Sequence, residues 1–321
     1  MPESVLPIAE ELQPLVAALP PLTATEASLS SLREISLPSG PRSTEMVLSV
    51  DEVIRSEPPL VVRVHRPRSG RSSAPCVLGL HGGGYVFGSR AAQDERLAHW
   101  CTTFDCVAVS VEYRLAPEAP YPAALEDSYC TLSWVVDNAD RLGIDVGRVG
   151  VYGPSAGGGL AAALALYARD KGAFRLGFQV LEAAMLDDRQ TTASSRADEL
   201  AIWNRESNAF GWASYLGPLA RTADLPAYAA AGRAGDLSGL PPALVIVGGA
   251  DGFRDENVAY AVRLADAGVP TDLHVVAGAP HGVQMFADSA VMHRWNSIVE
   301  NWLGGVLGPV GARSAAGKET K

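Results

Sequence analysis

Ser155 stands in the decapeptide Gly-Val-Tyr-Gly-Pro-Ser-Ala-Gly-Gly-Gly, residues 150–159, where most neighbours of its hydroxyl have little or no side chain. The frame Gly153-x-Ser155-x-Gly157 fits a turn so tight that bulkier neighbours would clash, with the serine thrust upward at a strand-to-helix junction. Val149, Val151 and Tyr152 read as the strand, and Gly157 to Ala168 read as a helix rich in alanine and leucine. A serine placed there faces the positive end of a helix dipole, and the N–H of Ala156 aims beside the hydroxyl at a point where negative charge can collect. That arrangement suits nucleophilic attack on a carbonyl carbon. Glycine-rich strand-to-helix turns also cradle phosphates, so the partners of the serine decide between the two.

An oxyanion needs further donors, and Leu80-His81-Gly82-Gly83-Gly84-Tyr85 follows the apolar run CVLGL. Consecutive glycines let backbone N–H groups approach a substrate oxygen without interference from Cβ, which makes Gly83 and Gly84 the candidates. A serine also needs a base within hydrogen-bond reach. In hydrolases with such a nucleophile turn the chain order is serine, acid, histidine, which leaves His274, His281 and His293. His274 lies inside the strand-like TDLHVVAG and His293 on a helix, whereas His281 follows the strand in the loop Gly278-Ala279-Pro280-His281-Gly282. His281 is therefore the expected base. Asp251, immediately after the strand ALVIVGG, is the expected acid; Asp255 and Glu256 suit capping of the next helix, and Asp187 and Asp188 stand in reserve.

The elements that must carry these groups are legible in the hydrophobic pattern. Apolar runs MVLSV, LVVRVHRP, CVLGL, CVAVSVEY, RVGVYG, LGFQVL, ALVIVGGA and TDLHVVAG alternate, in the later part, with helical patterns over 122–139, 157–171 and 255–267. Buried runs of this length separated by helices predict an α/β fold, a mostly parallel sheet with helices on both faces. The alternation stops between 187 and 225, where Trp203, Phe210, Trp212 and Tyr215 fall in a segment expected to pack as a cap. The expected organisation is an N-terminal cap segment over 1–37, a catalytic domain over 38–186 and 226–307 with the cap insertion 187–225 between, and a disordered tail over 308–321. The basic run Arg66 to Arg71 reads as a solvated hairpin loop.

Composition excludes several classes of function. With 321 residues, 47% hydrophobic and 19% charged, the chain has enough apolar material for a large core. A net charge of −10 supplies no basic face for nucleic acid. No apolar run reaches the ~18 residues of a membrane span. The N-terminal MPESVLPIAEELQPLVAALPP carries adjacent glutamates rather than a basic region before an apolar one, so a cytoplasmic protein is expected. Cys76, Cys101, Cys106 and Cys130 have no metal-finger spacing and read as reduced thiols.

Taken together, the blocks HGGGYVFGS (81–89), VEYRLAPEAPYPAALED (111–127), GPSAGGGLAAALAL (153–166), MLDDR (185–189), WNRESNAFGWASYLG (203–217), PPALVIVGGADGFRDE (241–256) and AGVPTDLHVVAGAPHG (267–282) resemble the bacterial hormone-sensitive lipase family of α/β-hydrolase esterases. The resemblance implies the α/β-hydrolase fold with a helical cap, Ser155 as nucleophile, Asp251 as acid and His281 as base, with Gly83, Gly84 and Ala156 donating to the oxyanion. It implies carboxylic esters of short to medium acyl chains as substrates, and neither metal nor cofactor. Glu112, Arg114 and Glu118 fall in a block that reads as structural. Amide, lactone or carbonate cleavage by the same groups is the alternative, and a non-catalytic ligand receptor on the same scaffold is disfavoured because His281 is in place. A small-molecule ester is the expected partner, with homodimerisation left open. Tyr85, Glu182, Ala183, Ala184, Trp203, Phe210 and Trp212 are the candidate substrate contacts.

Three positions depart from the family pattern. Pro154 precedes the serine where relatives carry Asp or Thr, which removes a side-chain hydrogen bond and a backbone donor. Glu182-Ala183-Ala184 replaces an Ile-Tyr-Pro sequence, which should reshape the space near the nucleophile and makes Glu182 either a surface residue or an unusual buried carboxylate. Gly252 replaces a proline after the acid, so a looser loop is expected there.

Overall fold

The computed structural model describes residues 6–19, 23–36, 39–197, 200–220, 222 and 224–308. Eight strands form one sheet: β1 (Val47–Ser56), β2 (Pro59–Pro67), β3 (Ala74–Leu80), β4 (Val107–Glu112), β5 (Ile144–Pro154), β6 (Gln179–Glu182), β7 (Ala243–Ala250) and β8 (Thr271–Pro280). Their order is β1-β2-β4-β3-β5-β6-β7-β8. β1 and β2 pair antiparallel with each other, β2 pairs antiparallel with β4, and all remaining pairs are parallel. Each apolar run read from the sequence carries one of these strands. The Arg66 to Arg71 run is corrected: β4 lies between β2 and β3, so the run is part of a crossover connection and not a hairpin loop.

The α-helices are α1 (Gln13–Ala17), α2 (Leu29–Ile35), α3 (Asp94–Phe104), α4 (Ala123–Asp137), α5 (Ala139–Leu142), α6 (Ala156–Lys171), α7 (Arg205–Leu216), α8 (Arg254–Asp266) and α9 (Ala290–Leu307). Alternation along each strand sorts the buried side chains into two cores. Leu78, Val151 and Val245 pack with Leu125 of α4, Leu160 of α6 and Leu264 of α8. Val77, Tyr152 and Leu244 pack with Trp100 of α3 and with Trp295 and Leu303 of α9. Burying both faces is what allows the central strands to be almost continuously apolar. Among the described residues no helix is long and apolar enough to cross a membrane. Three cysteines are buried, Cys130 is half-buried, and all four are free. Residues 309–321 of the expected tail lie outside the described residues, as do 1–5, 20–22 and 37 of the expected N-terminal segment.

A charged network fixes the edge of the sheet on which the glycine loop rests. Arg63 of β2, fully buried, donates to Asp51 through Nε at 2.7 Å and through Nη2 at 3.0 Å, and also reaches Asp94 at the start of α3. Arg90, just past the loop, donates to Asp51 at 2.7 Å and to Glu112 at 2.7 Å. Burial pushes the Asp51 carboxyl up, but the hydrogen bonds from Arg63 and Arg90 outweigh it and hold the group down at about 2. A carboxylate held below its unfolded value of ~3.9 adds stability that is complete above that pH and is lost as pH falls toward the folded value. Asp51→Asn is therefore expected to lower unfolding free energy by about 2 kcal/mol at pH 6. In urea melts, the gap to wild type should narrow between pH 4 and pH 2; a gap of constant width would exclude this role.

Candidate active site

Ser155 sits between β5 and α6 with φ 55° and ψ −123°. A non-glycine residue pays for this region of backbone space in strain, and the surroundings hold it there. Ser155 N–H donates to Glu182 O at 2.8 Å, while Ser155 O accepts from Gly159 N at 3.0 Å and from Met185 N at 2.9 Å. The first of these bonds continues the ladder past Pro154, which pairs in register with Glu182, so the proline ends the strand without opening the turn. Gly157 is where the crossing is tightest. A Cβ there would lie 2.0 Å from Leu80 O and 2.6 Å from His81 O, so only glycine lets α6 pass the end of β3.

The register of β7 and β8 brings the other two groups together. Ala250 pairs with Pro280, and the next residue on each strand is Asp251 and His281. His281 Nδ1 lies 2.9 Å from Asp251 Oδ2, and His281 Nε2 lies 3.0 Å from Ser155 Oγ. An ionised carboxylate only accepts, so Nδ1–H donates to Asp251, and in the neutral imidazole Nε2 is left to accept from the serine hydroxyl. Asp251 is 1% exposed, and its second oxygen accepts from Phe253 N at 2.8 Å. The Phe253 ring stands edge-on to the imidazole, with centroids 5.0 Å apart at 87°. The loop expected to be loose at Gly252 is pinned instead, because Gly252 O accepts from Ser194 Oγ at 2.9 Å.

The other candidates lie away from this chain of bonds. His274 sits on β8 and His293 on α9. Asp188 pairs with Arg233 at 2.6 Å and Asp187 with Arg189 at 2.5 Å. Asp255 accepts from Ser194 N at 2.8 Å. Glu256 accepts from Leu186 N at 2.8 Å, and its burial raises its carboxyl well above the usual range.

The loop after β3 lies against the serine. Gly82, Gly83 and Gly84 line the same cavity as Ser155 and His281. Gly83, at φ 115°, would bring a Cβ within 2.1 Å of Phe87 O, a conformation that glycine adopts freely. Among the described residues no acceptor takes the N–H of Gly83, Gly84 or Ala156. The loop is braced from behind: Tyr113 Oη donates to His81 O at 2.7 Å and the two rings stack at 4.0 Å. Arg33 of α2 donates to Val86 O and to Ala116 O, each at 2.9 Å, and to Glu118 at 2.7 Å. Glu112, Arg114 and Glu118 all serve in such ties, Arg114 through Asp127 at 2.9 Å.

The cavity at Ser155 has a volume of about 600 Å³. Of the expected substrate contacts, Glu182, Ala183 and Trp203 line it. The other four, Tyr85, Ala184, Phe210 and Trp212, are not among its lining residues. Tyr85 stacks on Tyr215 at 3.9 Å and lies 5.6 Å from Trp212, so these rings meet one another in the core. Phe210 packs half-buried against the same core, and Ala184 is held by Asn257, which accepts from its N–H at 3.0 Å and donates to its carbonyl at 2.7 Å. Sequence reasoning missed Leu32 and Ile35 of α2 and Arg96 of α3, which also line the cavity. Leu32 and Ile35 carry the helical spacing of an apolar face, but nothing local marks Arg96, whose partner is 86 residues away.

Residues 77–285 match the family described as the alpha/beta hydrolase fold. Esterase LipI of Mycobacterium tuberculosis is 38% identical over 237 residues, covering 71% of this chain and 72% of LipI. An arylesterase of Saccharolobus solfataricus is 33% identical over 232 residues, covering 69% of this chain and 74% of the arylesterase. Among solved structures, one titled Bacterial Heroin Esterase superposes with a TM-score of 0.88 at 32% identity, covering 95% of this chain and 99% of that one.

Gly157→Ala tests the backbone crossing on which the site is built. The added methyl group meets carbonyl oxygens of a central strand rather than a flexible side chain. Unfolding free energy should fall by about 3 kcal/mol or more, read as a lowered urea midpoint; a midpoint equal to wild type would show that the crossing has room to spare.

Proposed function

Because the chain belongs to the α/β-hydrolase family, in its hormone-sensitive-lipase-like branch, and is a carboxylic ester hydrolase, we propose that Ser155, His281 and Asp251 carry its chemistry. The observation that supports this most is the unbroken chain of hydrogen bonds, 3.0 Å from serine to imidazole and 2.9 Å from imidazole to carboxylate. As Ser155 Oγ attacks the ester carbonyl, its proton passes to His281 Nε2, and Asp251 stabilises the imidazolium that forms. The N–H groups of Gly83, Gly84 and Ala156 hold the tetrahedral oxyanion. Collapse breaks the bond to the alcohol oxygen, which takes the proton from His281, and leaves the acyl group esterified to Ser155. A water then loses a proton to His281, attacks the acyl-enzyme and releases the carboxylic acid.

The substrates are esters of short to medium acyl chains, as a cavity of about 600 Å³ walled partly by Leu32, Ile35, Phe87 and Trp203 suits. In this reading the described residues of the N-terminal segment 1–37 and of the insertion 187–225 form a cap, to which Leu32 and Trp203 belong. Four free cysteines fit a reducing, cytoplasmic setting. Edge strand β8, with Leu273 and Val275 exposed, offers a surface for a homodimer.

Nitrophenyl esters of two to twelve acyl carbons, beside the matching anilide of the best acyl group, test the reading. Ser155→Ala should abolish turnover, and Asp251→Asn should lower kcat by on the order of 10⁴ through loss of the correct tautomer. Turnover should peak at short to medium chains. Retained activity in Ser155→Ala would remove the serine from the mechanism, and anilide turnover matching the ester would move the assignment to amide cleavage.

A further inference from the structure

The wall of the cavity at Ser155 is of two kinds. One stretch is apolar, with Ala24, Leu32, Ile35, Phe87 and Trp203. Another is polar and internally bonded, built from Arg96, Tyr152, Glu182, Gln284 and Asn296. Arg96 Nη1 donates to both oxygens of Glu182 at 2.7 Å and reaches Tyr152 Oη at 2.9 Å. Arg96 Nη2 donates to Asn296 Oδ1 at 2.7 Å, and Gln284 Nε2 donates to Glu182 Oε2 at 3.2 Å. The group thus draws on α3, β5, β6, α9 and the turn after His281, all converging on one carboxylate that is 0% exposed.

A buried pair of charges is weak ground for stability. It sits at the top of the core formed by Trp100, Val180, Ile246 and Trp295, where apolar side chains of similar volume would hold the fold equally well or better. Its position relative to the nucleophile is what stands out. Glu182 is the register partner of Pro154, about 4.8 Å away across the sheet, and its carbonyl accepts the N–H of Ser155. Ser155 and the Arg96–Glu182 pair therefore line one cavity at the same end of the sheet, with Pro154 between the serine and the strand that carries Glu182.

The cluster also keeps hydrogen-bonding capacity in hand. Arg96 Nε–H, Asn296 Nδ2 and Gln284 Oε1 take no partner among the described residues and are not sealed off from the surroundings. An alkyl arm would strip these groups of water and give nothing in return, which costs free energy. The Arg96–Glu182 pair is neutral as a unit and its carboxylate oxygens are already bonded by Arg96, Tyr152 and Gln284, so what the cluster leaves open is N–H donors and one amide oxygen. A neutral hydroxyl both donates and accepts, so it satisfies either kind of open group.

Resting on Ser155 as nucleophile, we propose that Arg96 and Glu182, with Asn296 and Gln284, form a polar subsite that selects esters bearing a hydroxyl close to the scissile carbonyl over alkyl esters of the same shape. Arg96, Asn296 and Gln284 act by binding the substrate arm, Glu182 is a positioning residue that holds Arg96 and Gln284 in place, and none of the four takes part in proton transfer.

Two isosteric pairs test the subsite on either arm: nitrophenyl 3-hydroxybutyrate against 3-methylbutyrate, and 2-hydroxyethyl butyrate against propyl butyrate, each rate divided by that for hydroxide alone. Wild type should favour the hydroxyl member of at least one pair by about tenfold or more in kcat/KM, expressed mainly in KM. Arg96→Met combined with Glu182→Leu removes both charges together and should bring that ratio to about 1, slowing the hydroxy ester and speeding the alkyl one. Gln284→Leu leaves the ion pair intact and, should the double variant fail to fold, decides alone by lowering the ratio at least threefold. A ratio near 1 in wild type for both pairs, or one that survives these substitutions, removes the subsite and leaves the nucleophile untouched. Turnover persisting in Ser155→Ala removes the nucleophile and the subsite with it.

Discussion

Three backbone segments converge on Ser155, and they can touch only because side chains are missing where they cross. The end of β3 passes over Gly157 with no space for a methyl group, its carbonyl oxygen at Leu80 lying 2.0 Å from where a Cβ would stand. On the other side the segment after β6 donates from Met185 N to Ser155 O at 2.9 Å. The serine is caught between them in a strained conformation, φ 55°, and the bonds to Glu182, Gly159 and Met185 make that conformation the one the surroundings require. Its hydroxyl consequently stands clear of the helix it caps.

From that crossing the remaining groups are placed by rigid elements. Asp251 and His281 are consecutive to a paired position on parallel strands, so their separation follows from sheet register. Helix α8 then clamps the segment beside Ser155: Asn257 binds both polar groups of Ala184, and Glu256 binds the N–H of Leu186. Ala183, at φ 44°, is a second strained residue in this segment. Backbone strain persists when neighbouring structure over-determines it, and here a helix, a strand and the serine turn all do so.

The cavity is walled by two kinds of element. Its apolar wall comes from elements outside the sheet, from α2 and from the segment carrying Trp203, while its polar wall comes from helices α3 and α9 and from the sheet edge itself. The acid-base groups and the glycine loop do not depend on what fills either wall. Arg96 and Glu182 could not be separated in the same way, since either charge left alone in that core would be costly to bury.

Much of this protein is local and therefore legible in the order of its residues. The tight turn at Ser155, the glycine loop at Gly83 and Gly84 and the alternation of strands and helices are set by steric limits within a few residues, so the turn, the loop and the α/β class could be read directly. That Asp251 and His281 lie beside the serine follows from each coming just after an apolar strand at the same edge of the sheet. Contacts between distant segments were not legible. Nothing near Glu182 announces Arg96, nothing near Tyr85 announces the stack with Tyr215, and the Arg66 to Arg71 run looked like a hairpin until β4 was found inserted beside it. A pair of residues far apart in the chain becomes neighbours only through packing, and packing sums small contributions over the whole core; that sum decided which candidates reach the cavity and which are spent holding the fold together.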